Sequence, residues 1–283
     1  MPGYHRGNIF LLSVQGGIMG DPYIGTSGWS YEDWMTVFYP EHIKKGKMLD
    51  FYAQEFNLVE INSTFYALPN KFAVLAWDKK TPDDFIFTAK IPQEITHKRF
   101  LKNSESIFKE FYSLMHPLVD SGKLGCFLIQ LPPKFSTDEK ASLEAFLQFL
   151  PDTVRFAVEF RHTSWDESGD VSFLRDHGVA FAVTDSVKMQ PRVEITSDFG
   201  YVRWHGRNPR HWYDYEYTRN ELQEWIPRIK DMEKATRKLY LQFNNHPHGQ
   251  AIRNARMLKD LMDIPYKKAS SGQKNLDGWV NHR

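Results

Sequence analysis

Gly125-Cys126-Phe127-Leu128-Ile129-Gln130, then Thr137 to Leu150, then Arg155-Phe156-Ala157-Val158-Glu159 is the stretch that decides the fold. The first and last pieces are short apolar runs, the pattern of strands buried on both faces. Between them Leu143, Phe146, Leu147 and Leu150 recur at three- and four-residue spacing. That is a helix with one apolar stripe, which Thr137 can cap and Pro151 stops. Two strands joined through a helix pair in parallel with a right-handed crossover.

The same unit recurs in both directions. Further strand-like runs are Tyr23–Ser27, Leu58–Asn62, Phe85–Lys90, Ala180–Thr184, Tyr201–Trp204 and Lys238–Phe243. Asn70 can cap a helix over Lys71–Lys79, and Ser104 one carrying Phe108, Phe111, Met115 and Leu118. Asp170 can cap a short helix to His177, with Gly178 as its stop. Thr218 opens a stretch with Leu222, Trp225, Ile226, Ile229 and Met232, where Pro227 predicts a kink or two pieces. A last helix spans about Gly249 to Met262.

Eight strands alternating with helices predict an α/β fold, a (β/α)8 TIM-barrel-like arrangement of parallel strands. An open doubly wound sheet is the second choice. No G-x-G-x-x-G follows the first strand and no G-x-x-x-x-G-K-[ST] occurs, so there is no nucleotide-cofactor motif. Residues 22–265 read as one barrel domain, residues 1–21 as a disordered N-terminal extension, with Met19 as the functional start, and 266–283 as a mobile C-terminal tail.

Composition narrows the function classes. Among 283 residues, 36 Lys or Arg face 35 Asp or Glu, a balance that argues against a dedicated duplex-DNA binder. With 41% hydrophobic and 25% charged residues, global disorder is excluded. The single cysteine, Cys126, forms no intrachain disulfide and no cysteine zinc cluster, which fits a reducing cytoplasm. It sits mid-strand and is read as structural. No apolar run approaches the roughly 20 residues of a membrane span. Ile9 to Val14 is shorter than the roughly 7–15 apolar residues of a signal sequence.

In a barrel the chemistry sits at the C-terminal strand ends, and residues two apart share a face. With the large apolar residues set outward, the inward set is Ser27, Glu60 with Asn62, Lys90, Gln130, Glu159 with Arg161, Arg203 with His205, and Gln242 with Asn244. Trp29 follows in the first loop. Two glutamates against Lys90, Arg161 and Arg203 leave about one positive charge over, which favours an anionic ligand held by arginine forks. The alternative is a purely structural salt-bridge lining.

At these strand ends the chain resembles a known family. The matching motifs are Gly25-Thr26-Ser27-Gly28-Trp29, Val59-Glu60-Ile61-Asn62-Ser63-Thr64-Phe65-Tyr66, Lys90 with Thr96-His97, and Gln130-Leu131-Pro132-Pro133. They continue with Ala157-Val158-Glu159-Phe160-Arg161-His162 and Trp165, Tyr201-Val202-Arg203-Trp204-His205-Gly206, and Phe243-Asn244-Asn245-His246. In order and spacing, from Pro22 to Met262, they resemble the YecE-like family, domain of unknown function 72. The resemblance implies a TIM-barrel-like fold with a cleft at the strand C-termini, and it supplies no reaction. Trp204 stands where that family commonly has an aliphatic residue, and the first 20 or so residues lie outside the match.

Three functional readings follow from the residues. The preferred one is an enzyme on a small phosphorylated or carboxylated substrate, with Glu60 and Glu159 as general acid and base, or one of them as nucleophile. Lys90 is a candidate nucleophile, and His205 and His97 are candidate proton shuttles near neutral pH. Trp29, Phe65, Tyr66, Trp165 and Tyr213 would wall a ring. Ser27, Asn62, Gln130, Arg161, His162, Arg203, Asn244 and His246 complete the substrate contacts.

The second reading is a metal-dependent phosphoesterase on nucleic acid, drawing ligands from Glu60, His97, Glu159, His162, Asp185, His205, His246 and His248. No H-E-x-x-H occurs and the cations at the mouth repel metal, so a divalent metal is the less favoured option and no metal ligand is assigned. The third is a non-catalytic binder of an anionic metabolite or RNA, through the basic-aromatic stretch Arg203 to Tyr213.

Overall fold

The computed structural model of the chain describes residues 22–167 and 169–270. Eight parallel strands close into a barrel in chain order, β1 pairing with β8. They are β1 (Tyr23–Ser27), β2 (Leu58–Ile61), β3 (Ile86–Lys90), β4 (Leu124–Gln130), β5 (Phe156–Glu159), β6 (Ala180–Ser186), β7 (Phe199–Gly206) and β8 (Lys238–Phe243). The helices between them are α1 (Met48–Tyr52), α2 (Ser63–Tyr66), α3 (Lys71–Lys79), α4 (Glu105–Asp120), α5 (Lys140–Phe149), α6 (Ser164–Glu167), α7 (Phe173–Asp176), α8 (Arg219–Ala235) and α9 (Gln250–Leu261). No helix among the described residues is long and apolar enough to cross a membrane.

Alternation along each strand splits the buried residues into two cores. The outer core, between strands and helices, takes Val59, Ile61, Phe127, Ile129, Val158, Val202, Trp204, Leu241 and Phe243. Trp204 stacks on Phe243 at 4.7 Å and meets Trp225 of α8 edge-on at 4.9 Å. The inner core plugs the lower barrel with Leu58, Ile86, Cys126, Leu128, Ala157, Ala182, Tyr201 and Tyr240. Above that plug the same inward positions turn polar, and this sets the depth of the site.

Local signals behave unevenly. Asn70 caps α3, its side chain accepting from Phe72 N at 2.8 Å. Thr218 caps α8 in a reciprocal box with Glu221. Pro227 does not break α8, which runs as one helix. The proline removes one backbone donor, but Trp225, Ile226, Ile229 and Met232 anchor the turns on both sides of it in the core. Ser104 makes no cap bond, its hydroxyl donating to Lys102 O instead, and Ser136 rather than Thr137 caps the turn ahead of α5.

The expected N-terminal extension lies outside the described residues. The start of the expected tail is tied down. Ala269 N donates to Glu55 Oε2 at 2.9 Å, and Lys259 Nζ lies 5.3 Å from the Tyr266 ring centroid.

Gly25 marks the tightest strand contact. A Cβ there would lie 1.9 Å from Leu58 O on β2, a clash with backbone that no rotamer relieves. Gly25→Ala is expected to cost upwards of the ~1–3 kcal/mol typical of overpacking. Urea unfolding reads this directly, and a midpoint equal to that of the parent would show that β1 can shift.

Candidate functional site

The upper barrel holds a directional chain of hydrogen bonds. Gln242 Nε2 donates to Thr88 Oγ1 at 3.1 Å, and Thr88 Oγ1 lies 2.9 Å from the Tyr201 hydroxyl. Tyr201 donates to Glu60 Oε2 at 2.6 Å. Because a carboxylate only accepts, the tyrosine proton is committed to Glu60, so Thr88 must donate to Tyr201.

Arg203 occupies the centre. Its Nη2 donates to Glu60 Oε1 at 2.6 Å, and its Nη1 donates to Glu159 Oε2. Arg161 Nε donates to the other oxygen of Glu159 at 2.7 Å. Both glutamates are fully buried, and Arg203 is 1% exposed. The arginines and His205 hold the Glu159 carboxyl well below the usual range, against the opposing effect of its burial.

His205 is neutral at pH 7. Burial pulls it down to about 4, with Glu159 opposing and Arg203 assisting. Its Nδ1 faces Asn244 Nδ2 at 2.9 Å and its Nε2 lies 3.3 Å from Glu159 Oε1. Arg203 Nη1 also faces Nε2, at 3.5 Å, so the ring sits between the arginine and the carboxylate it holds. His97 is likewise pulled down to about 4, first by partial burial and then by Lys90. Neither histidine therefore titrates near neutral pH, which corrects the expectation of two shuttles.

Lys90 is the exception to the pairing. Its Nζ sits 3.7 Å from the centroid of the Phe65 ring, and among the described residues it has no ion pair within 4.0 Å. Burial, then the charges of Arg203 and Arg161, pull it down to about 7, against the opposing pull of Glu159 and Glu60. The expected surplus of one cation is thus a single lysine whose charged form is disfavoured by its surroundings.

Two cavities open at the mouth. The larger, of about 450 Å³, is lined by Trp29, Tyr31, Asn62, Tyr66, Lys90, Gln130, Arg203, Tyr213, Asn244 and His246 among others. The smaller, of about 200 Å³, is lined by Glu159, Arg161, His162, His205, Lys188 and Trp212 among others. Glu60, Ser27, Phe65 and His97 stand behind these walls. Phe65 supports Lys90, and His97 meets Phe65 edge-on at 4.9 Å.

Trp165 is displaced from its expected place. It is 1% exposed, stacks on Phe160 at 4.2 Å and donates from Nε1 to Phe135 O at 2.8 Å. Its ring packs in the outer core behind β5 and lines neither of the two mouth cavities.

Two residues outside the expected set matter. Tyr31 lines the larger cavity, stacks on His246 at 4.5 Å and donates to Ser27 O at 2.6 Å. Tyr201 holds Glu60. Tyr201 was legible, since it lies two residues before Arg203 on the same strand face. Tyr31 sits in a loop, where no periodicity points.

The other two readings lose residues. Among the described residues no three His, Cys, Asp or Glu side chains converge as metal ligands do. Asp185 accepts from Arg207 at 2.8 and 2.6 Å and from Trp225 Nε1 at 3.0 Å. In the basic-aromatic stretch, Arg203 and Trp204 are buried and Arg207 is spent on Asp185 and Glu221.

A family model described as "Protein of unknown function DUF72" matches residues 23–277. The chain is 35% identical to a DUF72 family protein from Thermotoga maritima MSB8 of solved structure, with a TM-score of 0.78 over 85% of this chain and 98% of that one. It is 29% identical to UPF0759 protein YunF of Bacillus subtilis (strain 168), over 90% of this chain and 99% of the relative. UPF0759 protein YecE of Escherichia coli (strain K12) is 28% identical over 76% of this chain and 83% of its own length.

Arg203 offers the test of this geometry. Arg203→Met strips Glu60 of its cation and Glu159 of one of two, and breaking a buried pair in this way costs about 3–5 kcal/mol. Adding Glu60→Gln should recover part of that loss in a double-mutant cycle by urea unfolding. A loss under about 1 kcal/mol, or no recovery, would contradict the bridging role.

Proposed function

The chain belongs to the DUF72 family, and from that premise we propose that it is an enzyme acting on a small anionic substrate by acid/base chemistry in the larger cavity. Family and fold leave the reaction open, so the reading rests on the site. The observation that carries it is Lys90, a cavity-lining amine with no carboxylate of its own, poised near pH 7. A group titrating near the working pH is the effective proton carrier.

In this reading the glutamates change role. Glu60 and Glu159 are committed to Arg203 and do not transfer protons. They are positioning residues that fix the arginine and, through it, the field at Lys90. Protonated Lys90 meets the carboxylate or phosphate of the substrate, and its neutral form takes a proton. Trp29, Tyr31, Tyr66 and Tyr213 supply faces for the apolar part of the ligand.

Binding should therefore be linked to protons. An anion favours the charged form of Lys90, so its capture above pH 7 takes up a proton. Affinity should fall by up to about tenfold per pH unit above 7. Screening phosphorylated and carboxylated metabolites by thermal shift, then titrating a hit calorimetrically from pH 6 to 9, measures this. Lys90→Met should bind more weakly and without the pH slope. A panel with no stabilising member, or a slope unchanged in Lys90→Met, overturns the reading.

A further inference from the structure

We infer that Lys90 is a covalent nucleophile, forming a Schiff base with a hydroxylated aldehyde or ketone that carries an acidic group. This deepens the proposed function and rests on its assignment of the larger cavity.

Three observations bear on the ligand, the first of them on its carbonyl group. First, Lys90 lines the cavity, and its Nζ lies over the Phe65 ring with no carboxylate within ion-pair distance among the described residues. A lysine paired with a glutamate would have its lone pair spent on a proton. Here both nearby glutamates are taken by Arg203 and Arg161. The charged groups that face Lys90 are Arg203 on β7, Arg161 beyond β5, Glu60 on β2 and Glu159 on β5, and His97 follows in its own loop. Burial and the two arginines outweigh the two carboxylates, so a substantial fraction of neutral amine exists at neutral pH.

Second, two amide side chains on the same cavity, Asn62 and Gln130, each leave a buried oxygen without a partner. As residues the two line the cavity, and their amide groups offer both donors and acceptors, which suits a ligand carrying hydroxyl groups. Third, the cavity of about 450 Å³ is lined by Trp29, Tyr31 and Tyr213, and its size suits a small metabolite.

The step balances within the site. The Nζ lone pair attacks the carbonyl carbon and a C–N bond forms. The π pair passes to oxygen, and the carbinolamine then loses that oxygen as water. Both protons of the neutral amine leave with it, giving the imine. Protonation of the imine restores the positive charge that Lys90 had in its ammonium form. That charge offsets the acidic group of the substrate.

The test uses the full chain with glyoxylate, a small anionic aldehyde, and cyanoborohydride at pH 7. Hydride delivered to the imine carbon fixes the adduct as a carboxymethyl group on nitrogen, and peptide mass spectrometry locates it. Lys90 should be labelled at least about tenfold faster than the exposed lysines, which are almost wholly protonated at that pH. Its rate should rise through pH 7 and level off, while theirs keep rising. Lys90→Met should lose the fast adduct, and the wild-type peptide map stands without it should that variant fail to fold. Labelling spread evenly over surface lysines overturns the inference. Stabilisation by glyoxylate with Lys90 unlabelled overturns the covalent step and leaves the anion-binding reading standing. Failure of the whole metabolite panel to bind overturns that reading instead.

Discussion

A single guanidinium bridging two carboxylates across the barrel is the constraint on which this structure turns. Arg203 on β7 reaches Glu60 on β2 and Glu159 on β5, all three shut off from solvent. Each of these charges alone would be very costly at that depth. Together, with Arg161 as the second donor to Glu159 and Tyr201 as the second donor to Glu60, they are nearly saturated. The bridge links three strands that are not neighbours in the barrel, so it also fixes the floor of the cavity above it.

Saturation has a chemical consequence. Once the acids are spent, the remaining cation beside them has no partner. Burial disfavours the charged form of Lys90, and the nearby arginines add their repulsion. A network that looks like ordinary salt-bridge lining therefore generates an unusual amine. The two histidines reach the opposite end of the same logic: burial disfavours the charged form of both, and His205 packs against Glu159 and Arg203.

Much of this was legible in the sequence for one reason. In a barrel every strand exposes alternate residues to the same interior, so period-two reading of eight short runs delivers the inward set without any knowledge of pairing. Glu60, Lys90, Gln130, Glu159, Arg203 and Asn244 follow from that rule alone. What it could not deliver was who holds whom. Glu60 and Arg203 are separated by more than a hundred residues, and only closure of the sheet makes them neighbours. Counting charges predicted a surplus cation but not which group carries it. Residues outside strands were read less well. Trp165 was placed by its motif and folds into the core, while Tyr31 lines the cavity from a loop with no period. Pro227 shows the reverse case, a local breaking signal overridden by the buried face of α8.

The chemistry of this site turns on the state of one nitrogen. Nuclear magnetic resonance of protein labelled at lysine, with the Lys90 signal assigned through Lys90→Met, follows its titration directly. A midpoint close to 7, far below the surface lysines, is the predicted result. A Lys90 that titrates with the surface lysines, at about 10.4, would mean that it is solvated or paired after all. In that case the saturated bridge has no chemical consequence and the site is a structural lining.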